Sequence, residues 1–167
     1  RERINWQRLK QEFMSRFSES YPDWMVIKSA VDSFVVFSEY YIQSDRMKIY
    51  YDYAEKLINL KKAYICTCSS EKFRKFAELK ENCPCRNNDT KENLYRWKKM
   101  LDKKNGYKEG DAVLRFKNSM QDPNPAMRDF PLARINEHEH PRQKKKYRVW
   151  PLMNLSVTVD DIEYKMT

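Results

Sequence analysis

The sequence predicts a mixed α/β fold, and three observations carry that expectation. Apolar residues recur three or four apart in several stretches before and after the middle of the chain, which is the period of amphipathic helices. Between residues 111 and 117 they alternate instead, the period of a strand with one face covered. All four cysteines lie in one short stretch, as the pairs Cys66/Cys68 and Cys83/Cys85 separated by 14 residues. Helices are thus expected to lead into this stretch and short strands to lead away from it.

Taken in order, Trp6, Leu9, Phe13 and Phe17 mark an amphipathic helix over residues 3–17, punctuated by Tyr21-Pro22-Asp23. From Val26 to Phe37 the apolar residues are too dense to phase cleanly: Ile27, Ala30, Val31 and Phe34 fit a helix, the favoured reading, and Phe34 to Phe37 also fit a strand. Asp45 can cap a helix running to about Leu60, with Ile49, Tyr53, Leu57 and Leu60 on one stripe. Ala63 to Cys66 is short and β-prone, so it delivers the first cysteine pair from a strand or turn. Ser69 caps a short helix offering Phe73, Phe76, Ala77 and Leu79, which Asn82 and Pro84 end.

Asp89 or Thr90 caps a further helix that buries Leu94, Trp97 and Leu101 and turns Arg96, Lys98 and Lys99 outward, until Asn105-Gly106 stops it. In the strand over residues 111–117, Ala112, Leu114 and Phe116 share one face, and the half-exposed face carries Arg115 and Lys117. Prolines at 123, 125 and 131 then force an extended loop, since each fixes φ and removes a donor. Leu132 to Ile135 returns to strand. The run from Arg142 to Trp150 interleaves Lys144, Lys145, Lys146 and Arg148 with Tyr147 and Trp150, and Leu155 to Val159 reads as a closing buried strand.

Of the 167 residues, 41% are hydrophobic, among them 11 Tyr, 8 Phe and 4 Trp, so the chain can build a core. A formal charge of +9 favours an anionic partner, with nucleic acid first. No run of 18 apolar residues occurs, which excludes a membrane-spanning helix. Only 2 glycines occur, too few for a Gly-rich phosphate loop.

Two thiolate pairs flanking a short helix can fold back into the four-sulfur set that suits zinc, although the usual spacing leaves two to four residues within a pair where this chain has one. Disulfides and free thiols are the competing readings. Lysine and glutamate richness and the tight clustering favour reduced thiols in a cytoplasmic setting. His138 and His140 lack a third ligand at a recognisable spacing and read as surface residues. Asp160 and Asp161 would point to opposite faces of a strand, and no Gly-x-Ser-x-Gly elbow exists. Basic residues beside aromatics suit phosphate contact with base stacking. On the residues alone, a basic binding module ranks above a complete enzyme.

The strings IQSDRMKIYYDYAEKLI (42–58), KKAYICTCSSEKF (61–73), CPCR (83–86), NPAMRDFPLARI (124–135), HPR (140–142), YRVWPLMNLSVTVDD (147–161) and the terminal YKMT resemble, in family order, the class I glutamyl-tRNA synthetases of the archaeal and eukaryotic branch. The resemblance implies an α/β fold: part of a Rossmann-type catalytic domain with an inserted mixed α/β domain, the connective peptide, that binds the tRNA acceptor stem. It divides the chain into a lead-in and catalytic part at residues 1–62, the insertion at 63–134 and a return to the catalytic sheet at 135–167.

It also implies the ligase function, in which glutamate attacks the α-phosphate of ATP and a ribose hydroxyl of tRNA-Glu then attacks the activated carbonyl. The implied zinc ligands are Cys66, Cys68, Cys83 and Cys85, with ATP and Mg as further requirements of the intact enzyme and multisynthetase or accessory-protein contacts as possible partners. The tRNA side would present Arg86, Arg96, Lys98, Lys99, Arg115, Arg128, Lys144, Lys145, Lys146 and Arg148. The family's His-x-Gly-His and Lys-Met-Ser-Lys signatures do not occur in this sequence, so a fragment is expected rather than a self-sufficient synthetase. Where the family has Pro-x-Tyr-Asn at the glutamate pocket, this chain has Met153 before Asn154, and a thioether cannot replace a phenolic donor. The alternative is a non-catalytic RNA-binding or structural module from a degenerate relative.

Overall fold

The computed structural model describes residues 41–166, and the helices expected over residues 3–17 and 26–37 lie outside them. Four strands form one sheet in the order β1 (Ala63–Cys66), β2 (Val113–Phe116), β3 (Pro131–Ile135) and β4 (Val149–Pro151), with every neighbouring pair antiparallel. The parallel strands of a Rossmann-type half are therefore not among the described residues. Four helices accompany the sheet: α1 (Met47–Asn59), α2 (Ser70–Glu78), α3 (Thr90–Leu101) and α4 (Met153–Tyr164).

The sheet separates two environments. Ala63, Ile65, Leu114, Ala133 and Ile135 join Tyr50, Ile58, Trp97, Leu155 and Val159 in one hydrophobic core, so α1, α3 and α4 bury their stripes together. Residues on both sides of the segment 63–134 thus contribute to the same core as that segment. On the other face Tyr64, Cys66 and Cys83 form a smaller cluster with Phe73 and Phe76 of α2. Pro131 sits at the first residue of β3, where a missing amide costs the ladder least, and the register shifts between Leu114 and Arg115 beside it.

Local chemistry sets the helix starts. Ser69 Oγ accepts from the Lys72 amide at 3.3 Å, and Asp89 Oδ1 accepts from the Glu92 amide at 2.7 Å, both as expected of caps. Asp45 does not cap α1. Its carboxylate instead accepts from Arg142 at 2.9 Å and Gln143 at 2.5 Å, tying the entry of α1 to the β3–β4 loop. The buried stripe of α1 is Met47, Tyr50, Ala54 and Ile58, while Ile49, Tyr53 and Leu57 flank it and Leu60 is exposed.

The segment Leu155 to Val159 is the middle of α4 and not a strand. Leu155, Ser156 and Val159 are buried while Val157 is exposed, which is helical spacing against β3, β4 and α1. The alternation of LSVTV imitates a strand, but packing of the i, i+4 pair overrides β-branched propensity. Asp160 then faces α1, where it accepts from Tyr50 Oη and Arg46 Nε, each at 2.9 Å.

Arg148 fastens the loops at one end of the sheet. Its guanidinium donates to Asp102 O, to Tyr107 O at 2.6 Å and to Glu137 Oε1 at 2.6 Å. A Cβ on Gly106 would collide with the carbonyls of Lys99 and Asp102 and with this guanidinium, so only glycine allows the close approach. Arg148→Gln removes three donors from partly buried acceptors, and we expect it to lower unfolding stability by about 1 to 2 kcal/mol, read as a fall in urea midpoint at unchanged slope.

Candidate metal centre

The four cysteines converge on the sheet face opposite the main core. Cys66 ends β1, Cys68 lies in the turn before α2, and Cys83 and Cys85 sit on a single 3-10 turn over Pro84–Asn87. All are free thiols, with Cys66 and Cys83 buried and Cys68 and Cys85 partly so. Their sulfurs lie within 4.8 Å of one another, with Cys66–Cys83 at 3.9 Å and Cys68–Cys85 at 3.8 Å. Disulfides need about 2.05 Å. Four sulfurs around a tetrahedral ion at about 2.3 Å stand about 3.8 Å apart, so the donor set fits a thiolate-coordinated metal. Among the described residues this is the one group of metal-ligating side chains found together.

The surroundings also suit thiolate ligands. Cys85 Sγ receives the Thr67 amide at 3.5 Å and Arg96 Nη1 at 3.8 Å, and Tyr64 Oη lies 3.6 Å from Cys83 Sγ. Tyr64 Oη donates to Asp129 at 2.9 Å, and Asp129 also takes Arg86 Nε at 2.8 Å and the Asn118 amide at 2.7 Å. This carboxylate is fully buried and anchors the 117–130 loop behind the cluster. Arg115 stacks on Phe73, its Cζ 3.4 Å from the ring centroid.

Several residues expected to meet RNA therefore have inward work. Arg86 is held by Asp129 and Asn118 O, and Arg128 by the carbonyls of Ala77, Asp122 and Pro123. Arg148 is buried among the loop carbonyls described above. Arg115 packs on Phe73 of α2, while Val113 and Arg115 stay half-buried beside the buried Leu114, the half-exposed outer face that the alternation implies. Lys98, Lys144, Lys145 and Lys146 are exposed, and Lys99 sits over the Tyr95 ring.

His138 is exposed, whereas His140 stacks on Trp150 and its Nδ1 accepts the amides of Arg142 and Gln143, a turn-forming role. Met153 opens α4 with 77% of its surface exposed, and Asn154 beside it is exposed and helical, not the start of a strand. Tyr64, Thr67 and Asp129 escape a linear reading because their roles depend on three separate segments meeting. The same holds for Lys61, Lys91 and Lys117, which line a cleft of about 480 Å³ with Arg86, Asn88 and Asp89.

Left to one another, the thiols divide their protons unevenly. The hydrogen bond with Cys66 draws Cys83 down to about 5 despite its burial, and the same bond together with burial pushes Cys66 up. Burial and the neighbouring Cys85 push Cys68 up to about 11. At Cys85 burial acts upward, but the Thr67 amide and hydroxyl outweigh it, so the group ends below its ordinary value. A divalent ion at pH 7 should therefore displace about two to three protons and not four, and bind more weakly as pH falls. Calorimetry in buffers of different ionisation enthalpy counts them, and a release of four would show that the thiolates are not pre-formed.

The model of the family described as tRNA synthetases class I (E and Q), catalytic domain, matches residues 2–167. Relatives include the glutamate-tRNA ligases of Thermococcus kodakarensis, 51% identical over 131 residues, and Methanothermobacter marburgensis, 50% identical over 127. That of Methanopyrus kandleri is 44% identical over 123 residues. These alignments cover 77%, 76% and 74% of this chain and 22%, 22% and 21% of the relatives, so the chain spans about a fifth of their length. The α/β architecture is consistent with a Rossmann-type catalytic domain, and the chain belongs to the catalytic-domain family of the class I tRNA synthetases for glutamate and glutamine.

Proposed function

We propose that this chain supplies part of a glutamate-tRNA ligase, the part that grips the acceptor end of tRNA-Glu, and that its four cysteines hold a structural zinc. Membership of the family over residues 2–167 carries the reading. The zinc assignment is supported by sulfur pairs at 3.8 and 3.9 Å, the spacing of a tetrahedral thiolate site. RNA contact is supported by the exposed Lys98, Lys144, Lys145 and Lys146, and by Lys61, Lys91 and Lys117 around the cleft. Phosphate neutralisation by such lysines gives affinity that falls as salt rises.

On this reading residues 63–134 present the terminal adenosine, while residues 1–62 and 135–167 belong with the catalytic sheet. The intact enzyme would use ATP with Mg and L-glutamate, and work in a cytoplasm that keeps the thiols reduced. Forming the adenylate and transferring glutamate then rest on positioning and on neutralising phosphate charge. A second reading, a non-catalytic RNA-binding module, is favoured by Met153, which offers no phenolic donor at the pocket position. Glutamate-dependent ATP-pyrophosphate exchange by the full-length gene product would decide for the ligase.

Two measurements test the main reading. Elemental analysis of protein purified without added metal should find about one zinc per chain, and chelation should loosen the fold; neither result is compatible with a site that is merely four free thiols. Replacing Lys144, Lys145 and Lys146 together by alanine should weaken retention of tRNA-Glu and flatten its salt dependence. An unchanged slope would return that loop to ordinary surface.

A further inference from the structure

A divalent ion held by four thiolates carries a net double negative charge, and burying such a group is costly unless positive charge accompanies it. The cysteine cluster is flanked by two guanidinium groups that the sequence reading assigns to RNA. Arg96 projects from α3 with its Nε on Glu92 at 2.5 Å, which leaves Nη1 for Thr67 Oγ1 at 3.3 Å and Cys85 Sγ at 3.8 Å. Arg115 sits on β2. It lies opposite Tyr64 in the β1–β2 register, on the strand face that Tyr64 shares with Cys66. Its guanidinium lies against Phe73, and its Nε is buried without a hydrogen-bond partner.

An arginine in such surroundings is poorly placed to reach a phosphate and well placed to balance a nearby anion. We infer that Arg96 and Arg115 are the counter-charges of the metal centre, holding the four-thiolate ion against release, and are not RNA contacts. This rests on the reading of the cluster as a zinc site. The planar fork explains the choice of arginine at position 96, because one side chain serves the Glu92 carboxylate and the sulfur at once. Loss of the ion would leave Arg115 packed on Phe73 without the double negative charge of the centre, so retention of the ion and retention of the α2 contact are coupled.

The test uses the zinc-loaded full chain with Arg96→Gln, Arg96→Lys, Arg115→Gln and Arg115→Lys. Zinc release to an excess of chelator is followed with a metal-sensitive dye, and the salt dependence of tRNA-Glu retention is measured beside it. Arg96→Gln and Arg115→Gln should each speed release by about tenfold or more, the usual scale for groups that support metal ligands, with the lysine variants in between. The tRNA salt slope should stay that of the parent. Arg96 is partly exposed, so its variants fold even if Arg115→Gln does not, and Arg115→Lys keeps the stem packed on Phe73. Unchanged release from Arg96→Gln, or a salt slope lower by about one, would overturn the inference while leaving the zinc site standing. A parent chain without zinc would overturn both.

Discussion

In β1, Ala63 and Ile65 point into the hydrophobic core while Tyr64 and Cys66 point the opposite way into the cysteine cluster. Side chains alternate along an extended strand, so a segment of four residues joins two environments. Everything nearby answers to this constraint. The inner face is covered by α1, α3 and α4, whose apolar stripes are long enough to bury Trp97, Tyr50 and Ile58 completely. The outer face has α2, the 3-10 turn after it and the loop that Asp129 anchors, and α2 buries none of its residues fully. Hydrophobic burial alone holds such a helix weakly, and an ion bound by the four converging sulfurs would fix α2 through its two ends.

The arginines show how a strongly basic chain spends its charge. Arg148, Arg128 and Arg86 each satisfy backbone carbonyls or a buried carboxylate in loops that have too few amides of their own. Such bonds are worth more inside than at the surface, because the partner oxygen would otherwise be left without a donor. Lysines, with one point charge on a flexible stem, stay at the surface. The surface available to a polyanion is therefore mostly lysine, whereas the interior scaffold is built with arginine. Net charge and its clustering along the sequence cannot separate these two uses.

Asp129 is the clearest junction between scaffold and site. Fully buried, it gathers Tyr64, Arg86 and the Asn118 amide, while Tyr64 also reaches Cys83. The loop after β2, the turn bearing Cys83 and Cys85, and the strand bearing Cys66 are thus held in one hydrogen-bonded set. The matching strings contain Tyr64, Arg86 and Asp129 but not the fact that they meet, because the three are far apart in the chain and individually ordinary.

What the sequence determined by itself is local. Ser69 and Asp89 as caps and the strand at residues 63–66 follow from the chemistry of a few adjacent residues, whereas the helix from Thr90 ends at Leu101, short of the expected stop at Asn105-Gly106. The tertiary structure alone decided which of two compatible patterns prevails. LSVTV alternates like a strand yet becomes helix, since only a helix sets Leu155 and Val159 together against the sheet and brings Asp160 to Tyr50. Asp45 could cap a helix but is drawn to Arg142 and Gln143, nearly a hundred residues away. Arg96 and Arg115 look outward in the helical and strand periods, yet Arg96 meets Cys85 and Arg115 meets Phe73 because α2 and its turn fold over them. Caps and turns are settled within a few residues, where the partners are fixed by covalent spacing; competition for a charge or an apolar face is settled only when distant segments arrive.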